Sequence, residues 1–427
     1  MLIFLFVVFL GTAIIGVPTA FALLIPSVVA MFVNDIPILL IAQRMIGGLY
    51  LFVLLAVPFF ILTANAMNES KATDQLIRLI NSFIGRVPGG LAYVNVIVSM
   101  IFGGISGSST ADTGGIGSVL IPAMKKEGYP EEVSVAVTSC SSTLGEVIPP
   151  SIIMIIIGAV LNVSIGALFI GGIIPGILIG CGQMAVIFFQ NRKYGFPRDE
   201  ESSLRDFLTT GYKALPVLGA PIIIIGGILT GWFTPTEAGA VGSVYGILCG
   251  VLFFRTLNIR NLIKILVDTI RLASLSLFCL SAAAMFGWFL AYYKLPDYLA
   301  ALIFSFTTNK FVILAVINLV FLLVGCFLDA VPAILIILPI IFPTAVATGI
   351  HPVHLGVIIS INLAMGLITP PYGLCLLLAA KIANIPVERA IKGLWPYFIV
   401  MLAILMIVTY FPEVVLFLPR SLTPHFM

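Results

Sequence analysis

The chain has 427 residues, 60% of them hydrophobic and only 9% charged, with a formal net charge of +3. A soluble globular chain carries about 25% charged residues, so this one lacks the polar side chains to coat a water-facing surface. Soluble domains are excluded, and an all-α polytopic membrane protein is indicated, with room for about ten crossings at roughly 20 apolar residues each.

The chain is apolar from Leu2, with no cationic segment or small-residue cleavage site before the next span, so its start reads as a helix rather than a removable signal. Leu2–Val33 and Pro37–Ala66 are predicted as the first two spans, with Gly11, Gly16 and Pro18 breaking the overlong first one. Asn68–Pro88, with Lys71, Asp74 and Arg78 amid apolar residues, reads as an amphipathic helix along the inner interface.

Charge then measures the chain. Basic clusters at Arg78/Arg86, Lys125/Lys126, Arg192/Lys193/Arg198/Arg205, Arg255/Arg260/Lys264 and Lys381/Arg389/Lys392 mark inner loops. Residues 87–124 are basic at both ends, contain one charge (Asp112), and carry Gly103-Gly104-Ile105-Ser106-Gly107-Ser108-Ser109-Thr110 in the middle. Each arm holds only about 15 apolar residues, short for a crossing, so the segment is predicted as a re-entrant hairpin around a glycine-serine tip.

Glu131–Asn162 is predicted to run outward and Gly166–Gln190 back to the basic loop Asn191–Asp206. Leu215–Gly231 goes out, Pro235–Phe254 returns and Leu262–Tyr293 goes out again. Lys310–Pro352 has no basic residue after Lys310 and reads as a second hairpin entered from outside; Val353–Ala380 returns and Gly393–Phe411 leaves. Six cysteines stand singly in apolar runs and read as packing residues, and no basic stripe suggests nucleic acid.

A shift of 221 residues aligns the chain with itself. Gly104 meets Gly325, Pro122 Pro343, Gly128 Gly349, Gly145 Gly366, Pro149-Pro150 Pro370-Pro371, Gly172 Gly393 and Pro175 Pro396. Twelve of these 72 positions are identical, and eight of the twelve are Gly or Pro. By the charge reading the second copy begins on the opposite side of the membrane, as in transporters built from inverted-topology repeats.

In each copy a span is interrupted at a double proline, which removes an N–H and frees carbonyls. Freed carbonyls with Ser and Thr hydroxyls are the hard oxygen ligands of an alkali cation, and half-helix N-termini beside them favour an anion. Small residues and prolines also ease helix packing, so the pairing of two such breaks carries the functional reading. Of the solitary acids, Asp112 and Asp329 lie near the tips and Glu146 inside the first break; coordination, capping or locking all remain open. Glu237 reads as the third-position partner of a capping box at Thr234-Pro235-Thr236-Glu237.

Pro235–Gly242, the tip Gly103–Thr113 and the break Gly145–Pro150 resemble the large membrane subunit (DctM-like) of tripartite ATP-independent periplasmic (TRAP) transporters over nearly the whole chain. The resemblance implies a bacterial inner-membrane protein with two inverted repeats working as an elevator. It implies scaffold helices at 1–66 and 214–293, interfacial arms at 67–88 and 294–309, a cytoplasmic loop at 191–213, and moving parts at 89–190 and 310–427. It implies one sodium ion near Ser106, Ser108, Ser109, Gly145, Val147 and Pro149, and another near Gly325, Asp329, Met365, Thr369 and Pro371. The substrate carboxylate would bind between them, around Thr110, Ser142, Thr143, Asn362, Pro150 and Pro370. Two partners outside this chain are also implied, a small four-helix membrane subunit and a periplasmic substrate-binding protein, alongside membrane lipid.

Other classes fit less well. No GxxxxGK[ST] motif is present for ATP-driven transport. His351, His354 and His425 fall at predicted loops or the terminus, away from the serines a hydrolase would need. A channel would need a continuous polar lining, and a passive scaffold would need neither repeat nor breaks. A stand-alone sodium–dicarboxylate symporter of related fold is the remaining alternative.

Overall fold

The computed structural model describes residues 1–198, 204–298, 301 and 307–422, and among these every regular element is helical. The expected arm at 294–309, part of the 191–213 loop and His425 fall outside that description in whole or in part. Among the described residues, seven helices are long and apolar enough to cross a membrane: Phe52–Glu69, Ile165–Tyr194, Thr210–Leu229, Pro235–Phe253, Ile259–Tyr292, Ala330–Ala347 and Val387–Tyr410.

The N-terminal stretch divides as its glycines and proline dictate, into Leu2–Ile14 and Thr19–Val33, with Gly16 at φ +89° between them. Pro37–Ala66 is not one span. It divides into Leu39–Gly47 and Phe52–Glu69, and at Gly48, where the first helix ends, a Cβ would sit 2.5 Å from the Ala284 side chain. The short helix also lets Arg44 place its guanidinium over the Trp288 ring, 5.3 Å from the centroid, rather than in apolar surroundings. Ala72–Ile84 is the amphipathic helix, burying Leu76 and Ile77 while Phe83 is exposed.

Two sets of helices can be traced through the packing, in close contact with each other where Ala72–Ile84 meets Gly90–Ser106 and where Ile259–Tyr292 meets Ala330–Ala347. Pro235–Leu248 lies along Ala56–Glu69, Ile259–Tyr292 covers Thr19–Val33, Leu39–Gly47 and Ala56–Glu69, and Leu204–Leu229 packs on Ala72–Ile84. The second group comprises two helical hairpins, Gly90–Ser106/Ser109–Lys126 and Lys310–Gly325/Ala330–Ala347, and two interrupted segments. The first of these runs Glu131–Ser142, a 3-10 turn Thr143–Glu146, then Ile152–Leu161; the second runs Pro352–Gly366, then Leu374–Ala383.

The two interrupted segments end alike, the second half of each closing on an asparagine in the left-handed region, Asn162 and Asn384. Those ends lie one residue further apart than the 221-residue shift allows, because one extra residue follows the second double proline. His354, expected in a loop, is instead buried in Pro352–Gly366, with Nε2 2.8 Å from the Val408 carbonyl.

Candidate functional site

The first tip is built by glycine and serine. Gly107 takes φ +61° to end the first arm, and Ser108 caps the second by accepting from the Ala111 N–H at 3.5 Å. Ser106 donates a short hydrogen bond to Asp112 Oδ1, and the Ser108 N–H donates to Ser106 Oγ at 3.3 Å. Gly107 also has to be a glycine for space, since a Cβ there would lie 2.6 Å from the Pro150 carbonyl. Its own carbonyl accepts from the Ile152 N–H at 3.3 Å, tying tip to break.

The first break packs directly behind that tip. A Cβ on Gly103 would meet Gly145 Cα at 2.9 Å, and one on Gly145 would meet Asp112 Oδ2 at 2.7 Å. The Glu146 carbonyl, freed by the prolines, accepts from Ser151 Oγ at 2.7 Å and from Ser360 Oγ at 2.6 Å. Ser360 belongs to the helix Pro352–Gly366 that precedes the second break, so one hydroxyl joins the first break to the second interrupted segment. Asp112 Oδ2, Ser109 Oγ and Glu146 Oε2 are all buried without a hydrogen-bond partner. Interior oxygens are rarely left so, and three together are a set that a hard cation could satisfy.

The second tip and break repeat the contact with different chemistry. A Cβ on Gly366 would lie 2.6 Å from the Gly325 carbonyl oxygen, and the Tyr372 N–H donates to the Cys326 carbonyl at 3.2 Å. No serine is present at this tip. Asp329 precedes the second arm without making a side-chain cap bond, and Thr369 returns its hydroxyl to the Met365 carbonyl at 2.7 Å.

Between the tips lies a cavity of about 470 Å³. Three helices begin at it, represented by Thr110 and Ala111, by Ile152 and Ile153, and by Ala330 and Val331. Glu146 and Asp329 line it, Asn65, Asn68 and Ser276 face it from the first helix group, and among the described residues no Lys, Arg or His does. Each helix start carries a partial positive charge of about half a unit, although Ala111 and Ile152 already donate their N–H groups within the tip and the break.

Of the residues singled out in sequence, Ser108, Thr110, Glu146 and Asp329 meet at this cavity, while Ser106, Ser109, Gly145 and Asp112 stand behind the first tip. The Pro149 carbonyl faces Gly104 and that of Val147 faces Gly172 on the Ile165–Tyr194 helix. Ser142 and Thr143 return their hydroxyls to the carbonyls of Thr138 and Cys140, both at 2.7 Å. Asn362 donates to Asn318 Oδ1 at 2.8 Å, and Asn318 in turn donates to Thr409, a buried network away from the cavity lining. Glu237 is not a buried acid. It is exposed, closing the capping box with its carboxylate 2.8 Å from the Thr234 N–H, because a helix start supplies donors that a carboxylate satisfies.

Sequence reading passed over Ser360 and the asparagines facing the cavity. Ser360 did leave a signal, since it is identical to Ser139 under the 221-residue shift. Asn65 and Asn68 left only their polarity within an apolar helix.

Comparison with known proteins was decisive for lineage. The family profile described as "Tripartite ATP-independent periplasmic transporter, DctM component" matches residues 6–414. The chain is 36% identical to the sialic acid TRAP transporter large permease protein SiaM of Vibrio cholerae over 412 residues, 96% of each chain. It is 37% identical to the C4-dicarboxylate TRAP transporter large permease protein DctM of Pseudomonas aeruginosa over 371 residues, 87% of each. In fold it is similar to the crystal structure of the Alcanivorax borkumensis YdaH transporter, with a TM-score of 0.61, 16% identity and 87% of each chain covered.

Proposed function

The chain belongs to the DctM-component family of tripartite ATP-independent periplasmic transporters, a transport component of the bacterial inner membrane rather than an enzyme, and on that footing we propose that it imports a carboxylated organic solute, of C4-dicarboxylate or sialic acid type, with sodium ions. The observation carrying this reading is the cavity itself, where three helix starts and two carboxylates meet without a basic side chain. Helix starts favour a substrate carboxylate. Glu146 and Asp329 oppose it, and like charges 4 Å apart cost about 4 kcal/mol at an effective dielectric near 20.

Sodium removes that conflict. One ion would be held by Ser106, Ser108, Ser109, Gly145, Val147 and Pro149, with Asp112 behind them, and another by Gly325, Asp329, Met365, Thr369 and Pro371. Substrate then binds well only to the cation-loaded cavity, which is what coupling requires. Inverted repeats move the hairpin group against the scaffold helices as an elevator, while a small four-helix subunit completes the membrane complex and a periplasmic binding protein delivers the solute.

Uptake by the reconstituted complex under an inward sodium gradient tests this. Ser108→Ala combined with Pro149→Ala abolishes sodium-driven uptake in protein that still folds; unchanged sodium dependence removes the first cation site. Uptake without a binding protein would remove that partner from the scheme.

A further inference from the structure

Val387–Tyr410 carries Arg389 and Lys392 at its start and brings Thr409, near its end, to a second cavity of about 490 Å³. Three helices begin at this cavity, Lys310–Gly325, Pro352–Gly366 and Glu413–Leu422, so it lies where apolar segments reach the membrane edge. Its wall carries Lys310, Arg420, His351 and His354 with one acid, Glu413, and transport as proposed above uses none of them. With both rings neutral these groups leave one net positive charge, to which the helix starts add partial positive charge. We propose that this cavity binds an anionic phospholipid with a hydroxylated headgroup, of phosphoglycerol type. Lys310, Arg420 and His351 hold its phosphodiester, and His354 accepts from a headgroup hydroxyl.

Three donors serve the phosphodiester. Lys310 makes no ion pair among the described residues and lies over the Phe311 ring, 5.3 Å from the centroid. Arg420 gives one N–H to Glu413 at 2.6 Å, leaving the other N–H groups of its fork for an oxyanion. His351 accepts the Val353 N–H on Nδ1 at 3.2 Å, and burial together with the Arg420 guanidinium holds its ring below the ordinary imidazole value. A neutral ring that accepts on Nδ1 carries its proton on Nε2, which is the third donor.

The acceptor is more deeply buried. His354 is 2% exposed, and its Nε2 lies 2.8 Å from the Val408 carbonyl. A carbonyl only accepts, so Nε2 donates and Nδ1 of the neutral ring is left as a lone pair without a hydrogen bond among the described residues. A buried acceptor left unpaired costs stability. Neither a phosphodiester nor a quaternary ammonium headgroup has a donor to offer it, whereas a glycerol hydroxyl does.

The acyl part of the ligand also has a place. Ile399, Ala403 and Ile407 are exposed along one face of Val387–Tyr410, and the row ends at Tyr410, whose ring lies 6.0 Å from that of Phe311 in the cavity wall. From Ile399 to Tyr410 the row is about 16 Å long, about half of the roughly 30 Å hydrocarbon core and so the depth of one leaflet. A soluble phosphate ester would leave that row unused.

Native mass spectrometry of the purified membrane complex with competing lipids is the test. The probes are phosphatidylglycerol, phosphatidylcholine and phosphatidylmethanol, the last keeping the single negative charge without the hydroxyls. Phosphatidylglycerol is expected to bind about tenfold tighter than phosphatidylcholine, and Lys310→Gln and Arg420→Gln each to narrow that ratio about fivefold, as for one basic side chain at a membrane surface. His354→Phe is expected to remove a preference of about fivefold for phosphatidylglycerol over phosphatidylmethanol, the effect of one hydrogen bond. Lys310 holds no ion pair, so its variant keeps the measurement available should the others not fold. Equal binding of phosphatidylglycerol and phosphatidylcholine, or a ratio unmoved in Lys310→Gln, overturns the site. Equal binding of phosphatidylglycerol and phosphatidylmethanol overturns the headgroup assignment. Displacement of phosphatidylglycerol by glycerol 3-phosphate or inorganic phosphate makes this a site for soluble phosphate and overturns the lipid. Each of these failures leaves the sodium-driven uptake proposed above untouched.

Discussion

The two tip-and-break units use one backbone plan and two chemistries. In both, a glycine of the hairpin meets a glycine of the break, and one backbone hydrogen bond pins the tip to the residues after the double proline. The first unit surrounds that contact with Ser106, Ser109, Asp112 and Glu146, three of which leave an oxygen buried and unpaired. The second has Asn362 and Leu363 beside that contact, follows it in sequence with Cys326, Phe327 and Leu328, and holds its one acid, Asp329, partly exposed at the cavity. Close approach is therefore the shared requirement, and the charge placement is where the units differ.

The largest effect should come from filling the shared contact. The three atoms nearest a Cβ on Gly366 are all Gly325 backbone, its oxygen, carbon and Cα, within 2.8 Å, whereas one on Gly145 meets first the Asp112 carboxylate at 2.7 Å, a side chain rather than backbone. Gly366→Ala is expected to cost about 3 kcal/mol, at the upper end of overpacking, and Gly145→Ala about 1 kcal/mol. Thermal unfolding in detergent reads both, and equal losses would show that the two contacts are not as different as their surroundings.

The second effect separates the acids. Asp112 is fully buried with Oδ2 unpaired, an arrangement that costs stability and that a cation bound there, as proposed above, would relieve. Sodium at about 100 times its dissociation constant should stabilise the wild type by about 2.7 kcal/mol for one site. Asp112→Asn is expected to erase the first site's share of that gain without lowering stability in sodium-free buffer. Asp329→Asn, at a partly exposed position, should change sodium-free stability by no more than about 0.5 kcal/mol. A sodium titration of the melting temperature distinguishes the variants, and an undiminished sodium response in Asp112→Asn would detach that residue from ion binding.

A smaller effect probes the clamps that hold each hairpin to its interrupted segment. The second unit uses Asn362, Asn318 and Thr409, and the first uses Asn95 with Thr138 and Ser141, the latter also bonded to Ser99 at 2.9 Å. Asn362→Leu is expected to cost about 1 kcal/mol, within the range for interhelical polar contacts. Ser141→Ala should cost less, because Asn95 keeps Thr138. The reverse order in a denaturation series would place the weaker clamp in the second unit.

What was legible in sequence follows from these residues. Gly103–Thr110 and the double prolines could be read because few backbones accept them, so their positions dictate a tip and an interruption. Charge scarcity likewise isolated Asp112, Glu146 and Asp329. Hydroxyls and amides carried no such information. A serine in an apolar helix can satisfy its own turn, as Ser142 does with the Thr138 carbonyl, or reach a distant break, as Ser360 does with the Glu146 carbonyl. Only the packing of segments more than 200 residues apart decides between those outcomes. The division of Pro37–Ala66 was hidden for the same reason, since Gly48 is demanded by Ala284.

The smallest effect concerns how each interrupted segment is held near its first residues. The first begins at the aqueous edge with ion pairs: Glu131 to Lys125, Glu131 to Arg389 at 3.1 Å, and Glu132 to Arg389 at 3.4 Å. The second instead pins His354 to a buried carbonyl. Half-exposed pairs are screened within about 10 Å at 0.1 M salt and contribute about 0–1 kcal/mol, whereas a buried hydrogen bond is unaffected by salt. Arg389→Gln should therefore lower stability by less than about 1 kcal/mol in low salt and by nothing measurable in 1 M choline chloride, a salt that keeps sodium out of the comparison. His354→Ala should cost the same in both. A salt-independent Arg389→Gln loss would mean that this clasp is dry and that the two segments are anchored by the same physics after all.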